Sequence, residues 1–194
     1  MELSEAIRRR RMVRRFTGDA VEPASLGRIV AAGLSGPTAG HSQGISFVLV
    51  TDREEIAAAA ADCGEAEHVA RGFGPWLSTA GALVVLCVEP GTYRRRYAEP
   101  DKDPSVVEAI PWWWFDGGAA LSLMLLAAVD EGLAAGFHGG HRIGDLAERL
   151  GIPGDIEVAG IVAIGHPAPD RRSASLDRGG RPQADTVHRD RWGG

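Results

Sequence analysis

The run Ala82–Val88 (ALVVLCV) is apolar at both parities. A strand with one face in water alternates apolar and polar residues, so an unbroken apolar run reads as a strand covered on both faces in the middle of a sheet. Such a strand needs partners on both edges and helices above and below. Ile45–Thr51 (ISFVLVT) and Glu157–Gly165 (EVAGIVAIG) supply further strands. Helical stretches are interleaved with them without regular βαβ spacing, which favours an α+β fold over a doubly wound parallel sheet. With 194 residues and no internal repeat or low-complexity linker, one domain spanning 1–194 is expected.

The helical stretches can be bounded from their signals. Leu3–Arg11 reads as a short helix with Ser4 as candidate cap and Leu3 and Ile7 on its inner face. Glu22-Pro23 opens a second helix in which Leu26, Ile29, Val30 and Leu34 recur at helical spacing, and Gly36-Pro37 ends it. An alanine-rich helix covers 52–62, and a helix over 65–79 should break at Gly72-Phe73-Gly74-Pro75. Residues 89–110 have no clear pattern and read as a long loop, a possible lid. From Trp112 a nearly all-apolar helix follows, expected to be covered on all sides. Asp116, Asp130 and Glu131 interrupt the apolar stretch around it, so a core helix is favoured over a membrane span. Gly132–Gly140 (GLAAGFHGG) reads as a glycine-rich turn and 143–150 as a short helix. The polar, arginine-rich 167–194 reads as a C-terminal arm that frays or wraps a partner.

Chemistry enters with Arg8-Arg9-Arg10-Arg11-Met12-Val13-Arg14-Arg15-Phe16, six arginines within eight positions of a chain whose net charge is −5. The overall charge argues against a general nucleic-acid binder. Packed guanidinium groups grip phosphate in bidentate fashion and stay charged at any working pH, so an anionic group is expected there; the plain alternative is a solvated helix end. Pro37–Gly44 (PTAGHSQG) is a small, polar loop rich in donors and acceptors, a composition that often holds ligands.

Other motifs carry less. Gly40-His41-Ser42-Gln43-Gly44 matches G-x-S-x-G, but a helix precedes it and a strand follows, the reverse of a nucleophile elbow. His138-Gly139-Gly140-His141 sets two imidazoles on a flexible turn with no cysteine cluster, a poor metal cage. No dinucleotide or P-loop fingerprint is present in the glycine-rich stretches. Cys63 and Cys87 lack CxxC spacing, so reduced thiols in the cytoplasm are expected, and Cys87, within an apolar run, reads as a small core residue. The opening Met-Glu-Leu-Ser-Glu has no apolar core of an export signal.

Arg10–Phe16, then Pro37–Gln43 leading into Phe47–Val50, then Gly132–Phe137, then Gly151-Ile152-Pro153 and Ile161–Pro167 resemble, in order and spacing over nearly the whole chain, the FMN-dependent nitroreductase family. The resemblance implies a three-layer fold with a central mixed or antiparallel sheet, a long buried helix, an extended C-terminal arm, and a homodimer with FMN at its interface. It implies that Arg10, Arg11, Met12 and Arg14 meet the FMN phosphate, with Met12 standing where the family has serine. Pro37, Thr38, Ala39, His41 and Gln43 correspond to the block that meets the ribityl chain and ring. His41 replaces the usual asparagine, and Gly44-Ile45 replaces Pro-Trp. Phe137, His138 and Gly139 correspond to the segment near flavin N5, and Arg178 and Arg181 to basic residues that return to the phosphate. The implied activity is hydride transfer, in ping-pong order, from NAD(P)H through flavin N5 to a small oxidised substrate such as a nitroaromatic or quinone. The cofactor carries that reaction, so no protein acid–base pair is expected. A flavin carrier without turnover and a flavin-dependent dehydrogenase of a biosynthetic intermediate remain as alternatives.

Overall fold

The structure is a computed structural model and describes residues 1–170 and 173–193. Four strands, β1 (Ile45–Val50), β2 (Ala82–Val88), β3 (Ala134–Gly139) and β4 (Glu157–Gly165), form one sheet in the order β1-β2-β4-β3, every pairing antiparallel. The all-apolar β2 is an inner strand, and each of its seven residues is buried.

Period-two alternation splits the inner strands between two cores. Leu83, Val85, Cys87, Ile161 and Ala163 face one layer with Ile56, Ala59 and Ala60 of α3 (Arg53–Asp62), together with Trp76, Leu77 and Leu146. Val84, Val162 and Ile164 face the other, with Leu26 and Ile29 of α2 (Pro23–Leu34) and Met124, Leu125 and Ala128 of α7 (Trp112–Asp130). The fold is therefore α+β in three layers. A third cluster joins Val88, Tyr93, Val107 and Trp113 beyond one end of the sheet.

Several boundaries differ from those the sequence suggests. The first helix, α1, covers Leu3–Arg9, with Glu2 at its N-cap and no side-chain cap; Leu3 and Ile7 are 64% and 57% exposed, so the inner position belongs to Ala6. After α4 (Glu65–Ala70) no helix resumes before β2. The chain runs irregularly instead, held by the buried Glu65 carboxylate, which accepts the Trp76, Leu77 and Ser78 N–H groups at 2.7, 2.7 and 3.2 Å. Residues 89–110 are not a structureless loop but two short helices, α5 (Pro90–Tyr97) and α6 (Ser105–Ala109). The stretch read as a glycine-rich turn contains edge strand β3, whose Ala and Gly content hides its pairing. The short helix after it, α8, is only Leu146–Arg149.

Helix α7 is long and apolar enough to cross a membrane by length and composition. Trp113, Asp116, Gly117, Ala120, Met124 and Ala128, at three- and four-residue spacing, turn one side of it into the core. The expectation of cover on all sides does not hold within a single chain, since Trp114 and Phe115 are 44% and 63% exposed. The C-terminal arm carries two 3₁₀ turns, Ala174–Arg178 and Gln183–Asp185; Arg171, Arg172 and Gly194, which belong to the same expected arm, lie outside the described residues.

Burial pushes the Cys63 thiol up to about 12 and the Cys87 thiol up to about 11, with nearby carboxylates adding to both. Each folded thiol thus keeps its proton where an unfolded one, ordinarily at 9.0, would lose it. The stability this contributes is intact below the unfolded value and is lost as pH climbs from there toward the folded value. Both cysteines should resist a disulfide reagent in the native state at mildly alkaline pH and react on unfolding. The thermal midpoint should decline above the unfolded thiol value, less steeply in Cys63→Ala than in the parent.

Candidate functional site

The arginine run starts where α1 ends. Arg10 leaves the helix with ψ 126, its N–H still bonded to Ala6 O, and the chain then continues extended. It docks on the outer edge of β3: Val13 N–H donates to Ala135 O at 3.0 Å, and Met12 bridges Ala135 in parallel. Farther on, Phe16 bridges Pro167 in antiparallel sense, Ala168 N–H donates to Arg15 O, and Arg14 N–H donates to Asp170 Oδ2 at 2.9 Å. Val13 and Phe16 are buried as anchors. Close approach requires Gly136, where a Cβ would lie 2.2 Å from Val13 O.

The arginines divide between surroundings. Arg8, Arg9 and Arg11 line a cavity of about 380 Å³ with Val129, Gly132, Leu133, Ala134, Ala135 and Pro167. Arg14 goes elsewhere, its guanidinium 5.7 Å above the Trp76 ring. His138 lies 6.0 Å from the same ring, and its Nε2–H donates to Arg142 O at 2.5 Å. His68 stacks on Phe73 at 4.6 Å; burial lowers its pKa most, and Arg14, Arg71 and His138 lower it further. Arg10 is half-buried and does not line the cavity, while Met12 is 41% exposed.

Phe137, His138 and Gly139 sit on β3 opposite Val162, Ile161 and Gly160. Because Ala135 O points away from β4 to Val13, alternation sends the N–H groups of Phe137 and Gly139 to that same outer edge. The Gly139 carbonyl follows this rule, accepting from Arg142 N–H at 3.4 Å.

The loop after α2 forms a second centre. Pro37, Thr38, His41 and Gln43 line a cavity of about 450 Å³ with Gly33, Leu34, Ser35, Gly36, Ile45, Asp116 and Ala120. Ala39 is fixed through its backbone: its N–H donates to the buried Asp116 Oδ2 at 2.9 Å. A 3₁₀ turn at Ala39–His41 follows, with Gly40, His41 and Gln43 at φ 61, 57 and 54. Ser42 is buried, its Oγ–H donating to Ala39 O at 2.6 Å, so it is a structural hydroxyl and not a nucleophile.

The structure thus gathers Pro37, Thr38, His41 and Gln43 at one cavity, whereas of the residues predicted for the phosphate only Arg11 lines the other. The two cavities share no lining residue within one chain. Arg178 and Arg181 lie in the exposed arm, where Arg181 donates to Asp185 O at 2.6 Å. Sequence reasoning passed over Asp116 and Trp76. Asp116 had a signal: one carboxylate among apolar helical residues, taken only as an interruption of a hydrophobic stretch. Trp76 had none, since its role rests on contacts with residues far apart in sequence.

An antiparallel α+β core, with an arginine-bearing segment completing its edge and a strained polar loop beside its long helix, defines the class of protein. The Nitroreductase family profile matches residues 7–166, and the chain belongs to that family. An Archaeoglobus fulgidus protein that carries the name NADH dehydrogenase/NAD(P)H nitroreductase is 28% identical, covering 98% of this chain and 99% of the relative. The NADPH-flavin oxidoreductase of Vibrio harveyi is 28% identical over 84% of this chain and 65% of its own length. Among solved structures, B. megaterium NfrA2 superposes with a TM-score of 0.77 at 22% identity, covering 98% of this chain and 75% of that one.

Gly136→Ala should test the docking of the arginine segment. A methyl group forced against the Val13 carbonyl should destabilise the fold by about 2 kcal/mol, in the range for overpacking a closed site. Amide exchange at Val13 should rise more than exchange in β2.

Proposed function

We propose that the chain is an FMN-dependent, NAD(P)H-consuming oxidoreductase of small oxidised substrates of nitroaromatic or quinone type. It acts as a cytoplasmic homodimer, with residues 1–194 as a single domain. The observation that carries this reading is the arginine segment docked along β3, beside the outward N–H groups of Phe137 and Gly139. Guanidinium groups suit a phosphate, and a row of backbone donors suits the acceptor-rich edge of a flavin ring. When bound, FMN supplies hydride transfer through its N5, from nicotinamide to substrate.

The chain's own residues hold and orient. Arg10, Arg11 and Arg14 bind the phosphate, joined by Arg178 and Arg181 of the arm. Met12 offers no hydroxyl where the family has serine, so the phosphate there relies on backbone and neighbouring guanidinium groups. Phe137, His138 and Gly139 seat the ring. Pro37, Thr38, Ala39, His41 and Gln43 close over it from the second subunit, a role supported by the separation of the two cavities within one chain. Exposed Leu3, Ile7, Leu34, Trp114 and Phe115 supply apolar surface for the pairing. The flavin and NADPH in the name of the Vibrio harveyi relative support the cofactor and donor proposed here.

A second reading, a flavin carrier without turnover, draws on Met12, His41 and Gly44, which depart from the family pattern. Purified protein should be yellow, and anaerobic NADH or NADPH should bleach it rapidly; a yellow protein that neither donor bleaches is a carrier. Arg10→Ala combined with Arg14→Ala should lower flavin content at least tenfold, and full flavin retention would overturn the phosphate assignment.

A further inference from the structure

The loop that carries His41 and Gln43 holds three left-handed residues within four positions, Gly40, His41 and Gln43. Two of the three have side chains, and left-handed backbone is unfavourable for such residues, so it persists only where the surroundings over-determine it. The surroundings here come from α5 and α7. Asp116 Oδ2 accepts from Ala39 N–H at 2.9 Å and from the Tyr93 hydroxyl at 2.7 Å. Tyr93 is fully buried, tilted against Trp113 at 6.0 Å, and its ring fills the space a Cβ on Gly44 would need. Arg96 Nε–H donates to Gly40 O at 2.9 Å, while its two terminal nitrogens grip Asp101 at 2.8 Å each. Tyr97 closes the remaining side: a Cβ on Gly40 would sit 2.8 Å from its ring.

Within the loop, Gln43 N–H bonds Thr38 Oγ1 and His41 N–H bonds Thr38 O. These local bonds define a turn but do not fix where it stands on the fold. The contacts that do so converge on both carbonyl-side and amide-side groups of two adjacent residues, Ala39 and Gly40. Asp116 is the node, because one buried oxygen serves the loop and α5 together.

We propose that Asp116, Tyr93 and Arg96 are positioning residues for the flavin-facing loop, and that α5 is a fixed brace setting the placement of His41 and Gln43, not a lid. The inference rests on the function proposed above for its cofactor readouts, but its exchange readout does not. In Asp116→Ala, hydrogen exchange over 38–44 should rise at least tenfold, FMN should bind at least tenfold more weakly, and the visible band of the remaining flavin should shift. Asp116→Asn keeps an oxygen that accepts from both donors and should return FMN affinity to within about threefold of the parent. Tyr93→Phe should weaken FMN binding about threefold, near the low end for the net loss of one hydrogen bond.

Parent-like exchange over 38–44 in Asp116→Ala would overturn the brace, as would parent-like FMN affinity and spectrum in that variant when the parent itself binds FMN. If the parent binds no FMN, the function reading fails while exchange still decides the brace. Should Asp116→Ala not fold, Arg96→Ala decides: faster exchange at 39–41, partly restored by Arg96→Lys, supports the brace, and unchanged exchange overturns it.

Discussion

The architecture follows from a strand pair, β2 and β4, that has no face to give to water. Every residue of β2 is buried, and so are the last six of β4. At about 25 cal/mol per Å² of apolar surface, leaving either face open would forfeit several kcal/mol. Two helical layers are therefore required, with α3 on one side and α2 and α7 on the other. The requirement ends at the sheet's edges, where β1 and β3 are only partly covered. The edge at β3 is where the candidate chemistry gathers.

An open edge presents unpaired N–H and C=O groups. Here the arginine segment covers part of β3 at Ala135, and the run of β3 beyond it keeps its outward donors. The same device thus blunts the edge and brings positive charge to it. That coupling explains why an acidic protein concentrates six arginines in eight residues across the last turn of a short helix and the extended segment beyond it. It also explains Gly136: only a residue without a side chain lets the Val13 carbonyl approach so closely.

What the sequence disclosed follows from how local each signal is. The inner strands and α2 announce themselves through unbroken apolarity or helical spacing. The arginine run, the 37–43 loop and the family likeness need only residue identity and order. Strand β3 stayed hidden because Ala134-Ala135-Gly136 and Gly139 lack β-propensity, and pairing with β4 and Val13 makes them a strand. Residues 89–110 looked patternless because α5 is short and strongly polar along Arg94–Arg96. Its anchors, Tyr93 and Arg96, reach partners at Asp116 and Gly40 that no local window contains. The exposed outer face of α7 was misjudged because a uniformly apolar helix has no polar side to mark which way it faces.

Burial of Asp116 is the least expected feature of α7, and its consequences reach farthest. A carboxylate 8% exposed in an apolar helix is costly unless it is hydrogen-bonded, and both its donors come from outside the helix. Replacing it with an apolar residue would relieve the burial cost but leave the Ala39 N–H and the Tyr93 hydroxyl without their acceptor, the more expensive outcome when both are enclosed. In the proposed brace, the carboxylate serves to place the loop and α5 relative to α7. In the proposed dimer the loop serves the neighbouring subunit's cofactor, so a bond made within one chain would set the geometry of a site completed by two.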